Sequence, residues 1–137
     1  MKNNLRFFAG VFSAVICLSC APSAFGGFFA MWSETIHNDT GSDAYDFHLH
    51  GTVLEGTAIV QDTSISSDVN PFDWKVDYAT VFNAGNIFVG WSGTTPVPTC
   101  HNITIGLEIF SGMENCVLGL DGYWTDANGD EIVPGWG

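Results

Sequence analysis

Apolar and polar positions alternate with period two along most of this chain, in short runs broken by glycine or turn residues. No stretch holds the three-to-four-residue spacing of an amphipathic helix. The cleanest run is Asn102–Phe110, where Ile103, Ile105, Leu107 and Ile109 fall on one side and Asn102, Thr104 and Glu108 on the other. That is the pattern of a strand with one face on a core. Similar runs are Phe29–His37, Tyr45–Leu54, Thr57–Ile65, Trp74–Phe82, Ile87–Ser92, Val117–Thr125 and a short Asp130–Pro134. In the fourth of these, Trp74, Val76 and Tyr78 are expected to share the core face, with Lys75 and Asp77 outside. Turn signals recur about every 8–12 residues, which predicts an all-β, antiparallel sandwich of about eight strands, jelly-roll or Ig-like. Asn38–Gly41 is one such turn. Asn128–Gly129 suits a two-residue type I′ hairpin, which needs positive φ at both positions. The segment "GTTPVPT" (Gly93–Thr99) carries two prolines and is expected to be a loop. Five tryptophans and eleven phenylalanines supply bulky filling for a core between two sheets.

The first 26 residues break this pattern. Lys2 and Arg6 precede an unbroken apolar run, Phe7–Leu18, of 12 residues. It is shorter than the roughly 20 residues a membrane-spanning helix needs and suits a secretory signal. The favoured cut follows Gly26, with Ala24-Phe25-Gly26 as the small-x-small site and a cut after Ser23 as the alternative. Lipidation at Cys20 is a lesser alternative, since Cys17 stands where a lipobox wants leucine. The expected organisation is a signal peptide, 1–26, and a single sandwich domain, 27–137, secreted, periplasmic or at the cell surface.

Removing the signal sharpens the charge. Lys75 remains as the single strong base against 15 acids, a formal −14 compared with −12 for the whole chain. A nucleic-acid partner needs a basic footprint, and anionic membrane needs the same, so both are excluded. Extracellular polysaccharide, cations or further copies of the chain are the partner classes left.

In an oxidising compartment the two cysteines beyond the signal, Cys100 and Cys116, are expected to pair. Their spacing conflicts with a straight strand. Ten residues of strand from Cys100 to Phe110 run about 33 Å. The six residues back to Cys116 recover only about 20 Å, leaving a gap wider than a disulfide's Cα separation of roughly 4.4–6.8 Å. Pairing therefore requires a bend, for which Gly106 is the natural place.

The stretch "DAYDFHLHG" (Asp43–Gly51) carries the most distinctive chemistry. On a strand Asp46, His48 and His50 share one face and Tyr45, Phe47 and Leu49 the other. The polar set is first a wet face. It is also a geometry that zinc or copper uses, with His37 and Asp46 as the nearest further ligands. A type 1 copper site is excluded, because Cys100 and His101 are adjacent and Met113 lies far beyond them. Asp126, Asn128 and Asp130 alternate as in the start of a calcium loop; an EF-hand is excluded by Glu131 and Gly137 at its sixth and twelfth positions, which leaves a looser calcium loop as the alternative to a plain acidic hairpin tip. No catalytic constellation stands out: "GWSG" (Gly90–Gly93) misses the serine-elbow spacing, and Lys75 reads as a solvated side chain. Trp124 and Trp136 are the tryptophans nearest a hairpin tip or terminus, hence candidates for stacking a sugar, although packing is the first reading of each. Asn38-Asp39-Thr40 and Asn102-Ile103-Thr104 match glycosylation sequons, discounted because the signal has a bacterial character.

Taken together, "NDTGSDAYDFHLH", "VGWSGTTPVP", "ITIGLEI" and "GYWTDANGDEI" resemble segments of exported, uncharacterised bacterial proteins often found among those with a C-terminal sorting signal. The resemblance implies a secreted β-sandwich and no particular activity. This chain departs from the pattern by ending in "PGWG", without a sorting helix or basic tail. The expectation is a non-enzymatic binding or structural module at the cell surface or in the extracellular matrix. Its rivals are a metal-binding protein and a small glycan-binding module.

Overall fold

A computed structural model describes residues 11–24, 26–82 and 85–132. Lys2, Arg6, Trp136, parts of the Phe7–Leu18 and Asp130–Pro134 runs and of the proposed cleavage site lie outside them.

Nine strands lie among the described residues, β1 (Val11–Ser19), β2 (Ala21–Pro22), β3 (Phe28–His37), β4 (Ala44–Glu55), β5 (Ile59–Ser67), β6 (Lys75–Phe82), β7 (Asn86–Val97), β8 (Asn102–Ser111) and β9 (Asn115–Thr125), and they form two sheets. One has the order β1-β9-β4-β7-β6 and faces the other, β2-β3-β8-β5. All pairings are antiparallel. From β3 to β6 successive strands alternate between sheets, an order of the jelly-roll kind, so the expected antiparallel sandwich is what the chain forms.

The core follows the period-two pattern. Ile103, Ile105, Leu107 and Ile109 of β8 are all buried, as are Phe47 and Leu49 of β4 and Leu118 and Leu120 of β9. Each such side chain contributes about 1.5–3 kcal/mol by leaving water. Trp32, Trp74, Trp91 and Trp124 are buried with them. Phe47 packs edge-on against Trp124 at 5.0 Å, and Trp74 meets the same indole edge-on at 6.4 Å. Trp124 is therefore core, which removes it as a sugar-stacking surface.

Where β3 crosses to β4, the turn at Asn38–Gly41 is organised by a buried asparagine. The Asn38 Nδ2 donates to the carbonyls of Ser42 and Val97, both at 2.8 Å, and its Oδ1 accepts from the Thr40 amide at 3.0 Å and hydroxyl at 2.6 Å. Its backbone carbonyl accepts from the Cys100 amide at 2.9 Å. The loop after β3 is thus tied to the loop before β8. With its amide fully buried and satisfied, Asn38 is closed to glycosylation.

Three local expectations change. The strand β7 runs on through Pro96, because the ladder to β4 jumps from Asp46↔Ser92 to Ala44↔Val97 and no pairing amide is needed there. The acidic hairpin is not type I′. Only Gly129 has positive φ, +83°, while the Gly129 amide bonds to the Asp126 carbonyl at 2.9 Å and the Asp126 amide to the Asp130 carbonyl at 2.9 Å. This is a type I turn followed by a left-handed glycine. Among the described residues of the expected last strand, Asp130–Ile132, a single bridge forms, Thr125↔Glu131.

The third concerns the cysteines. The ladder from β3 to β8 runs without a break from His37↔Asn102 to Phe28↔Ser111, so Gly106 is not a hinge. Cys100 stays at one end of β8, exposed, while Cys116 lies buried on β9, and both are free thiols. The expected Cys100–Cys116 disulfide is not formed, because the straight strand keeps the two ends apart. Cys116 lies instead beside β1, which in the intact chain is built from the apolar run read as an export signal and pairs with β9 over nine positions.

Candidate binding face

The outer face of the five-stranded sheet carries the residues singled out in "DAYDFHLHG". In β4, Asp46, His48 and His50 project outward and Phe47 and Leu49 inward, as the alternation requires. Across the sheet His48 is level with Tyr123 of β9 on one side and Gly90 of β7 on the other, and Gly90 is in turn level with Tyr78 of β6. Four strands thus contribute to one row: Tyr123, His48, Gly90, Tyr78.

A bulge makes this row possible. The β6–β7 register shifts between Val76 and Tyr78. Two residues then oppose one, and the side chains beyond the bulge change face. Tyr78, expected on the core face with Trp74 and Val76, instead points outward with 40% of its surface exposed. Gly90 lets its ring pass over β7: a Cβ there would lie 2.4 Å from Tyr78 Cε2 and 2.6 Å from Cζ. The phenol reaches His48 Nδ1 at 2.7 Å. On the other side the Tyr123 ring, 36% exposed, stacks on the imidazole with centroids 5.0 Å apart and planes 22° from parallel. Tyr78 and His48 are related similarly, at 6.1 Å and 30°.

Electrostatics fix the roles of these groups. Burial pushes the Tyr78 hydroxyl above its ordinary pKa, and Tyr123, Asp77 and Asp46 push it the same way. It therefore stays protonated, and its oxygen and His48 Nδ1 share the 2.7 Å hydrogen bond. The other ring nitrogen, Nε2, is 3.8 Å from Asp46 Oδ2. His50 is engaged separately, stacked on Phe88 at 4.7 Å with its Nε2 3.2 Å from Asn86 Oδ1.

Beside the row opens an acidic cleft of about 880 Å³, lined among others by Asp46, Asp73, Asp77, Asp126, Ser92 and Lys75. Its carboxylates are held. The Ser92 hydroxyl donates to Asp77, and the Thr94 hydroxyl to Asp73. Asp73 also accepts from the Thr94 amide at 3.0 Å and the Thr95 amide at 3.0 Å. These bonds, the Thr94 hydroxyl first, lower Asp73 to about 2. Asp126 Oδ1 accepts from the amides of Asn128 at 2.9 Å and Asp130 at 3.0 Å, so it organises its own turn. Lys75 is exposed, as expected of a solvated base.

The metal ligands considered from the sequence are only partly assembled. Asp46, His48 and His50 share a face, but His37 lies at the end of β3 in the opposite sheet. It cannot join them. Among the described residues no group of three or more His, Cys, Asp or Glu side chains is arranged to hold a metal ion, at the H-x-H strand or in the Asp126–Asp130 turn.

No protein-family model matches this chain, and no curated protein or solved structure is detectably similar to it. Fold and site together define an acidic jelly-roll sandwich with an aromatic row on one outer face. Sequence reasoning missed Tyr78 and Tyr123 as members of that face. The one sign of the arrangement is Gly90 within an otherwise bulky strand.

Proposed function

We propose that this protein is an exported, non-enzymatic acidic β-sandwich that serves as a binding module at the cell surface or in the extracellular matrix. The Tyr78–His48–Tyr123 row is its contact surface and a neutral or cationic polysaccharide its partner. The observation that carries the reading is the row itself. Two tyrosines stand out on the sheet face, fixed by a bulge, a glycine and a histidine, where side chains serving only solubility need no such fixing. Aromatic rings supply apolar area to sugar C–H faces at low entropic cost, and Asp46 and Ser92 beside them offer hydrogen-bonding groups to hydroxyls. The net charge of −12 disfavours polyanionic glycans and favours neutral or amino-bearing ones.

The test is retention of the protein on a panel of neutral, amino-bearing and sulfated polysaccharides. Retention on the first two classes that weakens at least tenfold in Tyr78→Ala and Tyr123→Ala supports the reading. Equal retention of variants and parent, or preference for sulfated chains, overturns it.

A further inference from the structure

Cys116 has a neighbour the linear spacing did not suggest. The β1–β9 register places Leu18 opposite Cys116, and the Cys20 amide bonds to the Glu114 carbonyl at 2.8 Å, one step further along the same edge. Cys20 and Cys116 therefore lie diagonally across two neighbouring strands on the same, inward side. Cys20 is 6% exposed and Cys116 1%, and both belong to the one hydrophobic core. Diagonal neighbours in a sheet have Cα atoms about 7–8 Å apart and Cβ atoms closer, just beyond the usual disulfide separation of about 4.4–6.8 Å, so closing the bond takes a small backbone movement of the end of β1 toward β9. Cys17, by contrast, points outward from β1, and Cys100 sits in the loop before β8.

We infer that Cys20 and Cys116 are a disulfide pair, closed by thiol–disulfide exchange with a small-molecule or protein disulfide, which locks β1 onto β9. Burial, and then Cys20 itself, push the Cys116 thiol up to about 11, so it is the poorer first nucleophile. Cys20, nearer the surface, attacks the external disulfide R–S–S–R and releases one thiolate. Cys116 then attacks the Cys20 sulfur of the mixed disulfide and releases the second. The two protein thiols lose two protons, the two leaving thiolates take them up, and R–S–S–R is reduced to two RSH. In an exported chain the bond has a further consequence, which rests on the export reading. A cut after Gly26 would leave the leading strand covalently attached to the domain instead of baring the β9 edge.

The test uses the full chain. Reduced protein is equilibrated with oxidised glutathione under native conditions, quenched in acid, alkylated and mapped by mass spectrometry without reduction. The expected map joins the Cys20 and Cys116 peptides and leaves Cys17 and Cys100 unjoined to either. The oxidised protein should also unfold at least about 5 °C above the reduced one, because the bond closes a long loop. That gain should persist in Cys17→Ala and vanish in Cys20→Ala. A map joining Cys116 to Cys17 or Cys100, or leaving Cys116 a free thiol, overturns the pairing without touching the export reading. Export is judged separately, by whether the protein leaves the cell. An exported product that has lost residues 1–26 on a non-reducing gel overturns the tether while the export reading stands.

Discussion

Replacing Gly90 by alanine tests whether the aromatic row is a coupled unit. The new Cβ would sit 2.4, 2.6 and 2.9 Å from Tyr78 Cε2, Cζ and Oη, distances no real contact tolerates. Gly90 is buried in a paired strand and cannot retreat, whereas Tyr78 is the far end of a half-exposed side chain on an edge strand. The ring should therefore swing into solvent. That breaks the 2.7 Å bond to His48, a net loss of about 1 kcal/mol. It also breaks the ring contact, about 0.5–1 kcal/mol more. Alanine recovers about 0.5–1 kcal/mol through its better fit to a strand. The balance is a destabilisation near 1 kcal/mol, or roughly 4 °C in Tm for a domain of this size. In a Tyr78→Ala background there is no ring to displace, and the same Gly90→Ala change should stabilise by about 0.5 kcal/mol. Thermal unfolding of the four proteins gives the coupling directly, expected at about 1.5 kcal/mol. A Gly90→Ala cost that is equal in both backgrounds would show that Tyr78 does not occupy the space above Gly90, and the row would fail as a unit.

Asn38→Ala removes the four hydrogen bonds of a fully buried side chain and should cost about 3 kcal/mol in denaturant unfolding, since the Val97 carbonyl and the Thr40 groups it satisfied are left buried without a partner. Gly122→Ala would push a Cβ to 2.4 Å from Cζ of the fully buried Phe47. Overpacking of this kind costs about 1–3 kcal/mol, and Phe47→Leu should recover part of it in the double variant. Asp73 titrates at about 2 in the folded protein, below the ordinary 3.8, so its ionised form favours the fold. That contribution is complete above pH 4 and is lost as pH falls through about 2; an acid titration of stability should be flatter across this window in Asp73→Asn. Cys100 holds φ at +72°, a left-handed conformation that a side chain disfavours by about 1 kcal/mol. Cys100→Gly should leave thermal stability unchanged or slightly raised, whereas Cys100→Val should lower it.

Local chemistry made much of this molecule legible before its fold was seen. The alternation Ile103, Ile105, Leu107, Ile109 names four core positions because a strand's side chains alternate with a fixed period, whatever its neighbours are. The same rule puts Asp46, His48 and His50 on one outward face. Length arithmetic across Cys100–Phe110 exposed the conflict in a Cys100–Cys116 bond, although not its resolution. Other features depend on which strands lie side by side, and no local pattern encodes that. The bulge beyond Val76 turns Tyr78 outward because β6 must match the register of β7. Tyr123 reaches His48 because β9, distant in sequence, is the neighbour of β4. His37 is removed from the histidine pair by the crossing from one sheet to the other at Asn38. Cys116 meets Cys20 because the leading strand pairs with the last. Period and turn chemistry act over a few residues, and the sequence alone therefore determined the sandwich and its two-faced strands. Pairing and register act over the whole chain, so only the tertiary structure decided which side chains meet.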